Sequence, residues 1–233
     1  MKKLSLLLGG VVLSTMVMAQ KPTEGNPLSI EGQLGLNAAG GTELKFNAPS
    51  VRLRYFVTDN IAIRLTLGLN NTKDTYNAYE FADGTGNSGT YEIKNSMNVF
   101  AIGGEYHFTG TERLSPYAGL DIKFGMGGTQ ESGSNAAMVG PGTAAYALDY
   151  TEKFTAKNSM FGVNIVAGTD YYFAQNFYIG LELGLGFSGT TSKDATRDIT
   201  VGANPTVTTV TPEYKSSVFA NNFIANFRLG WRF

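Results

Sequence analysis

The sequence predicts an all-β protein: an eight-stranded antiparallel up-and-down transmembrane β-barrel, with short turns at one end and long loops at the other. Three observations predict it. Segments of period two, apolar on one parity and polar on the other, recur from residue 28 to residue 233. Glycine is over-used, at 29 of 233 residues, and within those segments it falls mainly on the polar parity. The stretch YFVTDNIAIRLTLGL, 55–69, aligns without a gap on YYFAQNFYIGLELGL, 171–185, each reading as strand, tight turn and strand.

The chain opens with a charged Met1-Lys2-Lys3, an apolar run from Leu4 to Val17 and a small-residue site at Val17-Met18-Ala19. That is the pattern of a secretory signal peptide, and the apolar run is too short for a spanning helix. Residues 1–19 are therefore expected to be the signal, 20–27 a short periplasmic lead-in and 28–233 the barrel. No later window of about eighteen residues is continuously apolar, so a membrane helix is not expected.

Eight strands follow, at 28–36, 50–57, 61–69, 97–108, 116–126, 160–172, 177–187 and 218–233. The first places Leu28, Ile30, Leu34 and Leu36 on one face; the second Val51, Leu53 and Tyr55; the third Ile61, Ile63, Leu65, Leu67 and Leu69. Phe100, Ile102, Tyr106 and Phe108 mark the fourth, and Leu120, Ile122, Phe124 and Met126 the fifth. The sixth shows Phe161, Val163, Ile165 and Ala167, and the seventh Ile179, Leu181, Leu183, Leu185 and Phe187. The last carries Phe223, Ala225, Phe227, Leu229, Trp231 and Phe233. Short turns alternate with the stretches 70–96, 127–159 and 188–217 and a modest one at 37–49, so all short turns fall at one end. In 70–96, Tyr76, Tyr79, Phe81, Tyr91 and Ile93 alternate around Asp83-Gly84, which suggests a hairpin extending above the membrane. For 127–159 no period stands out, and helix is among the options.

Alternation alone fits a soluble barrel with an apolar inside as well as a membrane barrel with an apolar outside. The glycines favour the second, because the inside of an eight-stranded barrel is barely wide enough for side chains and glycine makes room for large polar ones. Every charge in the strands falls on the polar parity: Glu31, Arg52, Arg54, Arg64, Glu105, Asp121, Lys123, Asp170, Glu182, Arg228 and Arg232, joined by His107. Their signs nearly cancel, as a narrow interior requires. Aromatics cluster at both strand ends on the apolar face: Tyr55, Tyr106, Phe108, Tyr171 and Phe177 near the short turns, and Phe100, Phe124, Phe161, Phe187 and Phe219 near the long loops. They read as two interfacial girdles.

The closing strand, with Phe227, Leu229, Trp231 and Phe233 on one face, resembles the terminal signal by which bacterial outer-membrane proteins are recognised by the barrel-assembly machinery. As a whole the chain resembles small eight-stranded outer-membrane barrels of the OmpA, OmpX and OmpW kind, especially the outer membrane beta-barrel proteins common in Bacteroidetes. The resemblance implies a multi-pass address in the outer membrane of a Gram-negative bacterium, in contact with outer-membrane lipid and lipopolysaccharide. A chain ending at Phe233 is expected to lack the peptidoglycan-binding domain of full OmpA proteins.

Chemistry is sparse. The 18 basic and 19 acidic residues balance, which argues against nucleic acid as a partner, and the absence of cysteine removes thiolate metal sites and thiol catalysis. GLGFSG, 184–189, matches a dinucleotide-loop spacing but has no helix behind it, so its glycines read as packing residues. His107 is the single histidine, expected to bond an interior carboxylate such as Asp121 or Glu105. No catalytic, cofactor or metal site is expected. Barrels of this kind suggest three roles: a plugged barrel acting in envelope structure or surface contact through 70–96, 127–159 and 188–217; passive transport of a small or hydrophobic solute, as in OmpW-like proteins; or an accessory subunit of a larger envelope assembly.

Overall fold

The computed structural model describes residues 25–39, 43–46 and 50–233, with the side chains of 36–39, 43–46 and 216–224 left aside. The expected signal peptide, 1–19, and residues 20–24 lie outside the described residues, as do the side chains of Leu36, Phe219 and Phe223.

The described residues form eleven strands and no helix: β1 (Leu28–Ala39), β2 (Glu43–Phe46), β3 (Ser50–Phe56), β4 (Ile61–Tyr79), β5 (Ser88–His107), β6 (Leu114–Gly140), β7 (Thr143–Ala174), β8 (Phe177–Ser192), β9 (Ala195–Val201), β10 (Val207–Thr211) and β11 (Tyr214–Arg232). Eight of them close a ring. The antiparallel ladder runs from β1 to β3, through β4, β5, β6, β7 and β8 to β11, and β11 pairs back onto β1. Leu28 and Phe233 exchange both backbone hydrogen bonds, at 3.1 and 2.7 Å, so the seam is paired to its last residue. A sheet edge facing hydrocarbon would leave unpaired amides and carbonyls, and closure removes it.

Period two decides which face is which. Leu53, Ile63, Ile102, Ile165 and Leu181, on five different strands, are 44–66% exposed, while Arg64, Asp170 and Arg228 are 0% exposed. A soluble barrel would show the reverse, so the apolar face is the lipid face. On β7 the lower-girdle Tyr171 and the upper-girdle Phe161 are ten residues apart. At about 3.4 Å per residue and a tilt of about 40°, that is about 26 Å of height, close to the apolar band of such barrels. Phe187 is less exposed than Phe100, Phe124 and Phe161, which are 47–48% exposed.

The hairpin expected in 70–96 is present, whereas the structure corrects the reading of 127–159 and 188–217 as loops. β4 and β5 stay paired up to Tyr79↔Ser88, and β6 and β7 up to Gly140↔Thr143. The last turn is Pro141-Gly142; Gly142 has φ 71°, a conformation that suits glycine after a proline. Within 188–217, β9 and β10 form a further hairpin, with β9 laid on β7. Above the membrane the ladder therefore continues as an open sheet in the order β4, β5, β6, β7, β9, β10. It has a small core of its own, in which Ala78, Tyr91 and Ala136 are buried against Tyr76, Ile93, Met138, Ala144 and Tyr146. No acyl chains face the sheet there and its core is small, so apolar alternation fades while backbone pairing persists.

Candidate functional site

The site with the most chemistry is the lumen. Inward parity on the eight ring strands brings Glu31, Arg52, Arg54, Arg64, Glu105, His107, Asp121, Asp170, Glu182, Arg228 and Arg232 together, each at most 4% exposed. Lys123 also points inward but is half-buried and makes no ion pair among the described residues.

The ladder places these groups by a simple rule: a large luminal side chain stands opposite a glycine on the next strand and lies across it. Tyr117 and Glu182 both face Gly168, and the Tyr117 hydroxyl donates to Glu182 Oε2 at 2.6 Å. Asp170 and Arg228 both face Gly180, and Arg228 Nη2 meets Asp170 Oδ1 at 2.6 Å. Tyr178 and Glu31 both face Gly230, and the Tyr178 hydroxyl donates to Glu31 Oε2 at 2.8 Å. A Cβ on Gly168 would come within 2.5 Å of the Tyr117 hydroxyl, and one on Gly180 equally close to Arg228 Nη2. The glycine excess is thus the complement of the arginines and tyrosines.

Glu182 is the hub. It accepts from Arg52 Nη1 and Nη2 at 2.9 and 3.0 Å, and from Arg64 Nη1 at 2.9 Å. Arg64 also grips Asp121 through Nε and Nη2, both at 2.6 Å. Arg54 stands directly opposite Arg64 in the ladder, a like-charge pair held together by the carboxylates around it: Arg54 Nη1 reaches Glu105 and Asp170, each at 2.9 Å. Arg54 Nε and Nη2 and Arg228 Nε make no hydrogen bond within the protein. Those guanidiniums lie over the faces of Tyr178 and Tyr117, at 4.8 and 5.0 Å from the ring centroids, where the ring quadrupole attracts them. Arg232 lies over the Phe56 ring at 3.8 Å and donates from Nε to the Asn26 carbonyl at 2.7 Å.

His107 contacts Glu105 and not Asp121. Its Nε2 lies 3.1 Å from Glu105 Oε1, and its Nδ1 lies 2.8 Å from the Ser115 hydroxyl. Acid, imidazole and hydroxyl stand in the order of a hydrolase triad, yet Ser115 is 1% exposed and Glu105 already holds Arg54 and Arg64. That hydroxyl is closed to solvent, and the acid is committed to two guanidiniums. Among the described residues no cluster of metal-ligating side chains occurs.

A second polar cluster sits above the membrane on the inner side of the sheet. The Tyr91 hydroxyl donates to Glu131 at 2.8 Å, Arg197 pairs with Glu131 and with Glu152, and the Tyr150 hydroxyl donates to Glu152 at 2.6 Å. Burial, and then the hydrogen bond to Glu131, pushes the Tyr91 phenol above its ordinary value. Sequence reasoning missed this cluster, and it also missed the luminal tyrosines Tyr117, Tyr172 and Tyr178. The tyrosines were marked by parity: each is an even number of residues from a luminal charge on its own strand.

The model of the family described as "Putative OmpA-OmpF-like porin family" matches residues 41–190. The chain belongs to the OmpA-OmpF-like porin family. As such a porin-family barrel it is an outer-membrane protein of a Gram-negative bacterium, and its lumen holds a buried network of ion pairs. No curated protein matches the chain. Among solved structures, it is similar to the N-terminal β-barrel domain of Pseudomonas aeruginosa OprF at 15% identity, over 90% of this chain and 100% of that one, with a TM-score of 0.41. It is similar to Ail, the attachment invasion locus protein of Yersinia pestis, at 13% identity over 88% and 96% of the chains, with a TM-score of 0.37. AlkL, solved in DMPC bilayers, is 14% identical over 92% and 94%, with a TM-score of 0.35.

In this porin-family barrel Phe227, Leu229 and Trp231 of β11, with Phe233 just beyond it, face outward, each 40–54% exposed. Trp231 stacks on Phe177 of β8 at 6.0 Å, so part of this row is packed against the neighbouring strand.

Proposed function

We propose that the protein is a non-enzymatic barrel whose lumen is closed by its own ion pairs, and that it acts in envelope structure or surface contact through its extracellular sheet. The observation that carries this reading is the burial of five carboxylates and five guanidiniums across the lumen, none more than 4% exposed. Moving a solute through would part several of these pairs at once in a lumen shielded from solvent, and each stranded charge costs several kcal/mol. The extracellular sheet supports the second half of the reading: it is a paired, cored platform rather than a set of mobile loops, and a partner can dock on it rigidly.

Assembly by the barrel-assembly machinery, with Phe227, Leu229, Trp231 and Phe233 as the recognised row, belongs to the same proposal. Planar-bilayer recording of refolded protein tests the closed lumen. No steady conductance is expected beyond brief, small events. The porin designation of the family speaks for the second reading, solute passage, and a stable large conductance would replace the first reading with it.

A further inference from the structure

We propose that the outward face of the extracellular sheet, just above the apolar belt, binds the phosphate-bearing headgroup of an outer-leaflet lipid, with Lys73, Lys94 and Lys157 as its cations. The ladder registers define rows of outward side chains across β4, β5, β6 and β7. Leu67, Phe100, Phe124 and Phe161 form the last wholly apolar row. The next holds Leu69, Asn98, Met126 and Ser159; the next Asn71, Ser96, Gly128 and Lys157; and the next Lys73, Lys94, Gln130 and Thr155. Rows are about 6.7 Å apart along tilted strands, so the lysines stand about 10–15 Å above the Phe100 row, and their stems reach down toward the headgroup layer. The outward residues at the opposite end are Tyr55, Tyr106, Phe177 and Trp231 instead.

The same rows enclose a groove of about 640 Å³, lined by the three lysines together with neutral donors such as Asn71, Ser96 and Gln130. Met126, 73% exposed, lines its membrane-proximal end. Gly128 keeps it open, and no side chain fits there, because a Cβ would run into the Ala156 carbonyl. Charge on this face is positive. Glu92 bridges Lys73 at 2.6 Å and Lys94 at 3.2 Å, and Asp198 stands opposite Lys153 in the ladder, whereas Lys157 has no carboxylate partner among the described residues. Glu92 thus aligns two lysines and neutralises one. A soluble anion would need no groove opening sideways above an acyl-contacting row; a lipid phosphate needs that arrangement, with its chains lying along Phe100, Phe124 and Phe161.

The test is native mass spectrometry of the refolded full chain in neutral detergent, titrated with bisphosphorylated lipid A, with dephosphorylated lipid A and with inorganic phosphate as competitor. The wild type is expected to bind bisphosphorylated lipid A, and Lys73→Gln/Lys94→Gln/Lys157→Gln to lose at least about tenfold in affinity. Dephosphorylated lipid is expected to bind wild type and variant equally weakly, millimolar phosphate not to displace the lipid, and Lys215→Gln, on β11, to bind as wild type. Heat-modifiable migration checks that the triple variant folds; if it does not, Lys157→Gln alone, which breaks no ion pair, is expected to lose about threefold or more. Equal binding by a folded variant, or ready displacement by inorganic phosphate, overturns the proposal. Conductance is read separately, so a failure here leaves the closed lumen standing.

Discussion

Removing the hub carboxylate asks whether the lumen is dry. In Glu182→Ala, Arg52 loses its two-pronged contact at 2.9 and 3.0 Å, Arg64 loses one at 2.9 Å, and the Tyr117 hydroxyl loses its acceptor at 2.6 Å. Neither guanidinium is left alone, since Arg52 keeps Glu31 at 3.1 Å and Arg64 keeps Asp121 at 2.6 Å. Breaking a buried pair from one side costs about 3–5 kcal/mol, and the surviving partners put this case near about 3 kcal/mol. Glu182→Gln keeps an acceptor but removes the charge, and about 2 kcal/mol is expected. Urea titration of folding into neutral lipid vesicles, read by heat-modifiable gel migration, measures both. Because the pairs are shielded from solvent, the losses are expected to change little with added salt. A loss below about 1 kcal/mol, or one that salt abolishes, would mean pairs solvated like those on a surface, and the closed lumen would be refuted.

Leu181→Arg, one residue away, turns a charge toward acyl chains and is expected to cost about 2–4 kcal/mol in the same titration; a neutral result would mean the parity is reversed. Gly230→Val drives a side chain into the Tyr178 ring and pulls its hydroxyl from Glu31, with an expected cost of about 1–3 kcal/mol in that titration. Tyr91 has a phenol raised by burial and by Glu131, so its contribution is complete below about pH 10 and is lost as pH climbs through its folded-state value. The phenolate absorbance of wild type minus Tyr91→Phe is therefore expected to appear late in an alkaline titration, and an ordinary midpoint would contradict the Tyr91–Glu131 contact.

The barrel was legible because each ring strand faces acyl chains on one side and the ion-paired lumen on the other, which writes its face into every second residue: LEL in β8 and RLR in β3 are enough to orient their strands. The same physics explains the miss in 127–159: GTQESGSNAA in β6 continues its ladder above the membrane, but its inner face meets only a small core and polar groups, so no apolar residue at every second position marks the strand. The turn Pro141-Gly142 was the one local sign that 127–159 is a hairpin. In the lumen, membership could be read from parity, but partners could not, because they depend on ring closure: Arg228 and Glu31 meet at 3.2 Å across the seam between opposite ends of the chain. Arg232 turns to a backbone carbonyl and a ring, and Lys123 stays half-buried, for reasons of height in the barrel that period two does not encode.

The chain has no cysteine, so a spin label can be placed at one residue at a time along β8. Labels at 179, 181, 183 and 185 in refolded proteoliposomes are expected to relax with oxygen dissolved in the bilayer, and labels at 180, 182 and 184 to be shielded from it. Oxygen accessibility without that alternation, or with the parities exchanged, would contradict the placement of the ions inside and the leucines against lipid.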